Sequence, residues 1–291
     1  ALCRKEVDAG LLVTWRGLYP PRFFATIEPL GSLRKAAMAD SRKNTKQQCT
    51  EAEWRVRVDL AACYRLADLF GFSDIVWGHI TARVPGTDEF LINRFGLRFD
   101  EVTASNLVKL DPGGKVVDPP SSGGEELVNH TGFIIHSAIH AARPDVHCVM
   151  HSHPDAGLAV SVLADGLLPM IQDAMPIYHH TAYHEYTGLA MDSCESERVA
   201  ASLGANWVMI MRNHGLLTCG QTVGQAFMNM YYLERACQVQ LRVLSSGQAF
   251  DLPPAELCSL AAGQYEHFPY GKYEWPALLR LADKKSPGFR E

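Results

Sequence analysis

Val146-His147-Cys148-Val149-Met150-His151-Ser152-His153, followed by Pro154, is the stretch from which the rest of the chain is read. Val146, Cys148 and Met150 alternate with His147, Val149 and His151 in a run of strand-forming residues. His151 and His153 stand two apart, so in an extended chain their side chains share one face, with Cα atoms roughly 6.5–7 Å apart. Two imidazoles so placed can converge on one ion, at about 2.0–2.1 Å per bond if it is zinc. Pro154 cannot donate to a ladder, so the strand is expected to stop there with both histidines at its end. An H-x-H pair alone is weak evidence, as frequent by chance or in a core as at a metal. A second segment strengthens it. Trp207–Gly220 reads W-V-M-I-M-R-N-H-G-L-L-T-C-G, two apolar runs around an Arg212-Asn213-His214-Gly215 turn. It places a third histidine at a glycine-punctuated strand end, where sites on sheets are commonly found.

The surrounding composition is that of a globular chain. Of 291 residues, 47% are hydrophobic and 20% charged, within the ordinary range. No run approaches ~18 uninterrupted apolar residues, so no membrane span is expected. Net charge is −5 but uneven: residues 1–48 carry nine Lys/Arg against four Asp/Glu, and the remainder is correspondingly acidic. A basic arm on an acidic body argues for docking on the body or on a neighbouring subunit, and against nucleic acid. The eight cysteines include no CxxC and no regular framework, which reads as reduced thiols in an intracellular compartment.

Along the chain, residues 1–48 show no clear period and read as an N-terminal extension; an organelle transit segment is the alternative. Thr50-Glu51-Ala52-Glu53 is a capping box that opens a helix to about Phe70, which Gly71 ends. Ser73–Arg83, Phe90–Phe99 and Leu107–Val117 read as strands, the last broken by the Asp111-Pro112-Gly113-Gly114 turn. Pro119–Gly124 reads as a loop and Val128–Ala142 as a helix with Phe133, His136, Ile139 and His140 near one another. Pro154–Leu163, Ser193–Leu203 and Thr222–Leu244 read as helices. Pro176–Tyr186, rich in histidine, reads as an alternating strand. Residues 248–291 form a Pro-, Gly- and aromatic-rich tail with one short helix, Trp275–Lys284. Strands separated by helices, taken alone, suggest a parallel sheet.

Three blocks together resemble the class II aldolase/adducin family: Ala141–Pro154 (A-A-R-P-D-V-H-C-V-M-H-S-H-P), Arg212–Thr218 (R-N-H-G-L-L-T) and Thr222–Cys237 (T-V-G-Q-A-F-M-N-M-Y-Y-L-E-R-A-C). The resemblance covers roughly Glu51 to Leu244. It implies a three-layer α/β/α architecture whose central sheet is mainly antiparallel, replacing the parallel expectation, with a core domain over 49–247. It implies a divalent metal on His151, His153 and His214, zinc first, with iron or manganese as alternatives. It also implies a homotetramer with active sites at subunit interfaces, to which the tail contributes; a tail packed on its own subunit is the alternative.

The sequence departs from the family's phosphosugar aldolases at three places. Their G-N-x-[ST]-x-R phosphate segment reads Gly78-His79-Ile80-Thr81-Ala82-Arg83 here, so His79 and Thr81 are candidate substrate-binding residues. Their S-S-E element, counted back without gaps, falls on His130-Thr131-Gly132. The metal-binding or acid/base glutamate is thus Gly132, leaving Thr131 as a candidate contact and His130 as a candidate proton carrier. Glu125 and Glu126 lie six to seven residues earlier and reach the site only if the loop is rearranged. Where a relative carries a functional tyrosine stands Asp173, a candidate replacement base. Tyr183 and His184 are expected at the cleft by analogy with the family's layout, the first for substrate and the second for protons.

Loss of the glutamate and of the serine pair argues against a phosphosugar. The expected function is a metal-dependent lyase-type step on a small unphosphorylated oxo- or hydroxy-acid, or on a substrate releasing an aldehyde. Two alternatives share the fold: a non-haem iron oxygenase or decarboxylase, and a non-catalytic, adducin-like cytoskeletal scaffold. The expected compartment is the cytoplasm, or an organelle if residues 1–48 direct import.

Overall fold

The computed structural model describes residues 45–117, 128–188, 193–268 and 270–291. The N-terminal extension up to residue 44, the Pro119–Gly124 loop, and Glu125 and Glu126 lie outside the described residues.

Helix α1 (Glu51–Leu69) starts where the capping box predicts, with the Thr50 hydroxyl accepting the Glu53 N–H at 3.1 Å. The box is only half formed. The Glu53 carboxylate turns inward to Arg57 Nε at 2.8 Å and Lys109 Nζ at 3.2 Å. Both Glu53 and Arg57 are buried, and a buried carboxylate gains more from a charged partner than from a backbone N–H.

The strands β1 (His79–Arg83), β2 (Phe90–Ile92), β3 (Val108–Leu110), β4 (Cys148–Ser152), β5 (Thr181–His184), β6 (Val208–Met211) and β7 (Gly215–Gly220) form one seven-stranded sheet in the order β3-β2-β1-β4-β7-β6-β5. All pairings are antiparallel except β5 with β6. The resemblance, rather than the strand–helix alternation, gave the right sheet. The alternation misleads because consecutive strands pair as antiparallel neighbours, β1 with β2, β2 with β3 and β6 with β7, while the central β4 takes its neighbours β1 and β7 from distant sequence.

Both faces of the sheet are covered. Cys148 and Met150 of β4 join Ile80, Ile210 and Leu216 in a core under α1 and α5 (Val223–Ser245). Val149 joins Met209, Leu217 and Cys219 under α2 (His130–Ala142) and α4 (Ser193–Leu203). This is the period-2 alternation of a strand buried on both sides. Helix α3 (Asp155–Val162) follows β4 directly after Pro154.

Three local expectations are corrected. Gln172–His180 is a 3-10 helix, so His179 and His180 are not on a strand; only Thr181–His184 is extended. The predicted strand Ser73–Arg83 begins at His79, because Ile75 takes a positive φ of 46° that breaks the run. The tail holds a further helix, α6 (Ala255–Tyr265), before α7 (Glu274–Lys285). Trp275, Ala282 and Phe289 of the tail are buried in the core with α1, and Trp275 donates its indole N–H to Asp59 at 3.0 Å.

Candidate metal centre

The sheet register places the histidines. His79 on β1 is the direct cross-strand neighbour of His151 on β4, and such neighbours on one face are in side-chain contact; their ring centroids are 5.0 Å apart. On the other flank β4 pairs with β7, and the β6–β7 turn brings His214 beside the end of β4. That turn depends on two residues. Asn213 has φ 55°, a left-handed conformation asparagine tolerates. At Gly215 (φ 157°) a Cβ would lie 2.7 Å from the His153 ring and 2.8 Å from the Ser152 carbonyl oxygen, so only glycine leaves room for the imidazole.

His151, His153 and His214 each offer a nitrogen within 4.8 Å of the others. Their outward hydrogen bonds decide what those nitrogens carry. His151 Nδ1 lies 3.0 Å from the Leu216 carbonyl oxygen, and His153 Nδ1 lies 2.8 Å from Asp74 Oδ2. Both partners only accept, so both Nδ1 atoms carry hydrogen. Burial first, then the charges of His214, His79 and His153, hold His151 well below the usual histidine range, so its ring is neutral and its Nε2 bears a lone pair. That lone pair faces His153 Nε2 at 3.1 Å. Two acceptors at this separation need a cation between them. A proton serves two nitrogens, whereas a metal ion serves three, and His214 is the third.

A carboxylate or carbonyl behind each ligand, fixing its tautomer, is the usual support of a metal-binding histidine. Donors around a tetrahedral zinc, with bonds of about 2.0–2.1 Å, stand a little over 3 Å apart, so His151 and His153 are at ligand spacing. The residues present therefore fit a divalent ion. His214 is held low, at about 4, by burial first and then by His153 and His184, while Glu195 opposes them.

Asp74 supports this centre and has no sequence signal; it lies 79 residues before its partner. It sits next to Ile75, whose φ of 46° is an outlier for a β-branched residue. Such strain, of order 1–3 kcal/mol, persists where surrounding contacts over-determine it, here the Asp74–His153 bond and the Trp77 N–H to Asp74 carbonyl bond of 2.8 Å.

The other expected site residues are distributed as follows. Gly132 and His79, read as separate departures from the aldolase pattern, are in direct steric contact. A Cβ on Gly132 would lie 2.6–2.8 Å from the His79 ring, so the imidazole occupies the space that a side chain at 132 would need. Thr81 is fully buried and bonded to His136 Nδ1 at 2.7 Å and His140 Nε2 at 2.8 Å; it supports the histidines rather than facing a reactant. Thr131 gives its hydroxyl hydrogen to the helix-capping Asn129 at 2.8 Å, and His130 is exposed at the first turn of α2. His184 lines a cleft with His214, but both its ring nitrogens are engaged, by Ser202 Oγ at 2.9 Å and Glu195 Oε1 at 2.8 Å. Tyr183 points the opposite way, as adjacent strand residues must. Its hydroxyl accepts the Leu167 N–H at 2.9 Å, its ring lies 4.5 Å beneath the Arg212 guanidinium, and it lines a separate cavity of about 170 Å³ with Leu167, Pro169 and Tyr178. Asp173 is ion-paired with Arg235 of α5 and is outside the histidine cluster.

The comparisons with known proteins concern the family and the fold. The class II aldolase and adducin N-terminal domain family matches residues 58–241. The chain belongs to the class II aldolase and adducin family. A Pseudomonas aeruginosa protein, provisionally named a class 2 aldolase, is 44% identical over 255 residues, covering 85% of this chain and 96% of that one. Alpha-adducin of Rattus norvegicus is 40% identical over 250 residues, 80% of this chain but only 34% of adducin. Among solved structures, an aldolase II superfamily protein from Pseudomonas syringae superposes with TM-score 0.79 at 46% identity, covering 84% of this chain and 99% of that one. L-fuculose 1-phosphate aldolase from Glaciozyma antarctica superposes with TM-score 0.70 at 30% identity, covering 82% and 93%.

Two predictions follow from the buried histidines. Gly132→Ala, which in an open helix adds up to about 1 kcal/mol, is expected here to destabilise by about 1–3 kcal/mol through overpacking. In a His79→Asn background the penalty disappears, and a denaturant double-mutant cycle measures the coupling. In metal-free protein, burial first holds His79 and His140 at about 3, aided by His153 at the former and Arg83 at the latter. Unfolding releases them to about 6.5, so the unfolded chain binds more protons below that pH. Stability is then greatest above pH 6.5 and falls as pH drops toward 3, by up to about 1.4 kcal/mol per pH unit for each of the two. Unfolding free energies from pH 7 to 4 check the slope, which decreases in His140→Phe.

Proposed function

We propose that the chain is a metal-dependent lyase-type enzyme acting on a small, unphosphorylated oxo- or hydroxy-acid, or on a substrate that releases an aldehyde. The observation that carries this reading is the 3.1 Å approach of two imidazole nitrogens whose outer nitrogens are already committed to acceptors, with a third imidazole alongside. His151, His153 and His214 hold the ion, zinc in the first instance and iron or manganese as alternatives. A divalent ion there supplies Lewis acidity to a carbonyl or carboxylate oxygen of the reactant.

The protein's own groups set the substrate class. With Gly132 in place of a carboxylate, the centre has one negative charge fewer, which favours an anionic oxygen at the ion. The hydroxyl at the start of α2 is engaged by Asn129, so it is not free for a phosphate. Of the groups considered for proton movement, His184 is tied at both nitrogens and Asp173 is paired with Arg235. His130 remains, exposed at the first turn of α2, and His79, against His151, joins it as a further candidate.

The exchange at Gly132 and His79 also favours a second reading, a scaffold of the adducin kind, because it removes the one side chain that aldolase chemistry uses as a base. The two readings differ in metal. We further propose a homotetramer with its sites at subunit interfaces, in the cytoplasm. Exposed Ile75 and Trp77 beside Asp74 give such an interface apolar surface at the site. Among the described residues no helix is long and apolar enough to cross a membrane.

Purified protein is expected to retain about one divalent ion per chain by elemental analysis, lost in His151→Ala and His153→Ala. Asp74→Asn is expected to weaken metal affinity by about 10–100-fold with the fold unchanged. Wild-type protein that neither retains nor takes up zinc, iron or manganese supports the scaffold instead.

A further inference from the structure

Behind the metal ligands runs a second, unbroken file of buried polar groups. His79 Nδ1 lies 2.9 Å from His136 Nε2, His136 Nδ1 lies 2.7 Å from Thr81 Oγ1, and Thr81 Oγ1 lies 2.8 Å from His140 Nε2. All four residues are buried. Rings removed from water to this extent are neutral, because burial disfavours the charged form.

A neutral imidazole has one N–H and one bare nitrogen, and a threonine hydroxyl has one hydrogen. Each link needs one hydrogen, and a Thr81 oxygen accepting from both rings would leave its own hydroxyl hydrogen with no acceptor in the file. Only two orders satisfy every link and also use that hydrogen. In one, hydrogens point from His79 toward His140, leaving His79 Nε2 bare and His140 Nδ1 protonated. In the other, every hydrogen is reversed.

The far end selects between them. His140 Nδ1 is buried without a hydrogen-bond partner, and the Val146 carbonyl acts on that ring from outside hydrogen-bond geometry. A carbonyl oxygen attracts an N–H and repels a lone pair. Arg83, the nearby cation, is turned away from the ring, its Nε–H and Nη2–H given to the carbonyls of Val146 and His140. The end at Val146 therefore holds the hydrogen.

We infer that His140, Thr81 and His136 are positioning residues that lock His79 as the Nδ1–H tautomer, presenting a bare Nε2 to the site. The edge carrying Nε2 is the one against Gly132, where a Cβ would lie 2.8 Å from it. The group it receives from a reactant is accordingly a hydrogen-bond donor, a hydroxyl or N–H, rather than a phosphate or carboxylate oxygen. The tautomer is set by groups outside the triad; the inference rests on the metal reading only in taking the neighbouring space as the reactant's.

The test is the ring nitrogen spectrum of protein labelled with 15N-histidine, with His79 assigned by the signals lost in His79→Asn. Bare and protonated ring nitrogens are well separated in such spectra. The wild-type protein is expected to show His79 bare at Nε2 and protonated at Nδ1. Thr81→Val, which keeps the shape and cuts the file, is expected to shift the Nε2 signal toward the protonated position, and Thr81→Ser to restore the wild-type pattern. Should Thr81→Val fail to fold, His140→Phe makes the same cut while keeping a ring stacked on Phe90. A wild-type His79 protonated on Nε2, or a Thr81→Val or His140→Phe spectrum identical to wild type at His79, overturns the inference. Metal content measured on the same samples is expected to stay unchanged; its absence in the wild type counts against the metal reading and leaves the tautomer result standing.

Discussion

Two imidazole nitrogens, each with its partner nitrogen already donating elsewhere, stand close enough that only a cation between them relieves their repulsion. The rest of the molecule can be understood as what holds them there. The β4–β7 register brings the Leu216 carbonyl to His151. The strained turn at Ile75 brings Asp74 to His153. Gly215 leaves the space the His153 ring fills. Both faces of the sheet are packed, so β4 cannot shift by one residue without moving Val149 and Met150 into the wrong cores. The site inherits its precision from that register.

Much of this was legible in the sequence. The H-x-H pair at a strand end, the third histidine in a glycine turn, and most helix spans depend on short-range rules of side-chain periodicity and turn chemistry, and these rules operate within a few residues. The triad appears in one cluster because both strand ends point to the same edge of the sheet.

What was not legible is pairwise and long-range. Nothing local marks Asp74 as the partner of His153, and nothing in single positions shows that His79 and Gly132 exchange volume. The alternating histidine-rich stretch before Thr181 reads as a strand but winds into a 3-10 helix, with Pro176 inside it. Tyr183 and His184 were both assigned to one cleft, which the alternation of a strand forbids. The tail's aromatic-rich sequence did not say whether it serves a subunit interface or its own core; Trp275 and Phe289 each fill a place in the core.

The family resemblance supplied the antiparallel sheet and pointed to the three histidines that lie together, while the departures from the family carry the chemical interest. The His79 imidazole fills the space beside Gly132, and its far side is supported by His136, Thr81 and His140. The central claim is the shared ion. X-ray absorption at the edge of whichever metal copurifies measures it directly. The account predicts about three imidazole nitrogens in the first shell, near 2.0–2.1 Å if the metal is zinc, with the imidazole scattering lost in His151→Ala. A shell of oxygen atoms alone, or one unchanged in that variant, would contradict it.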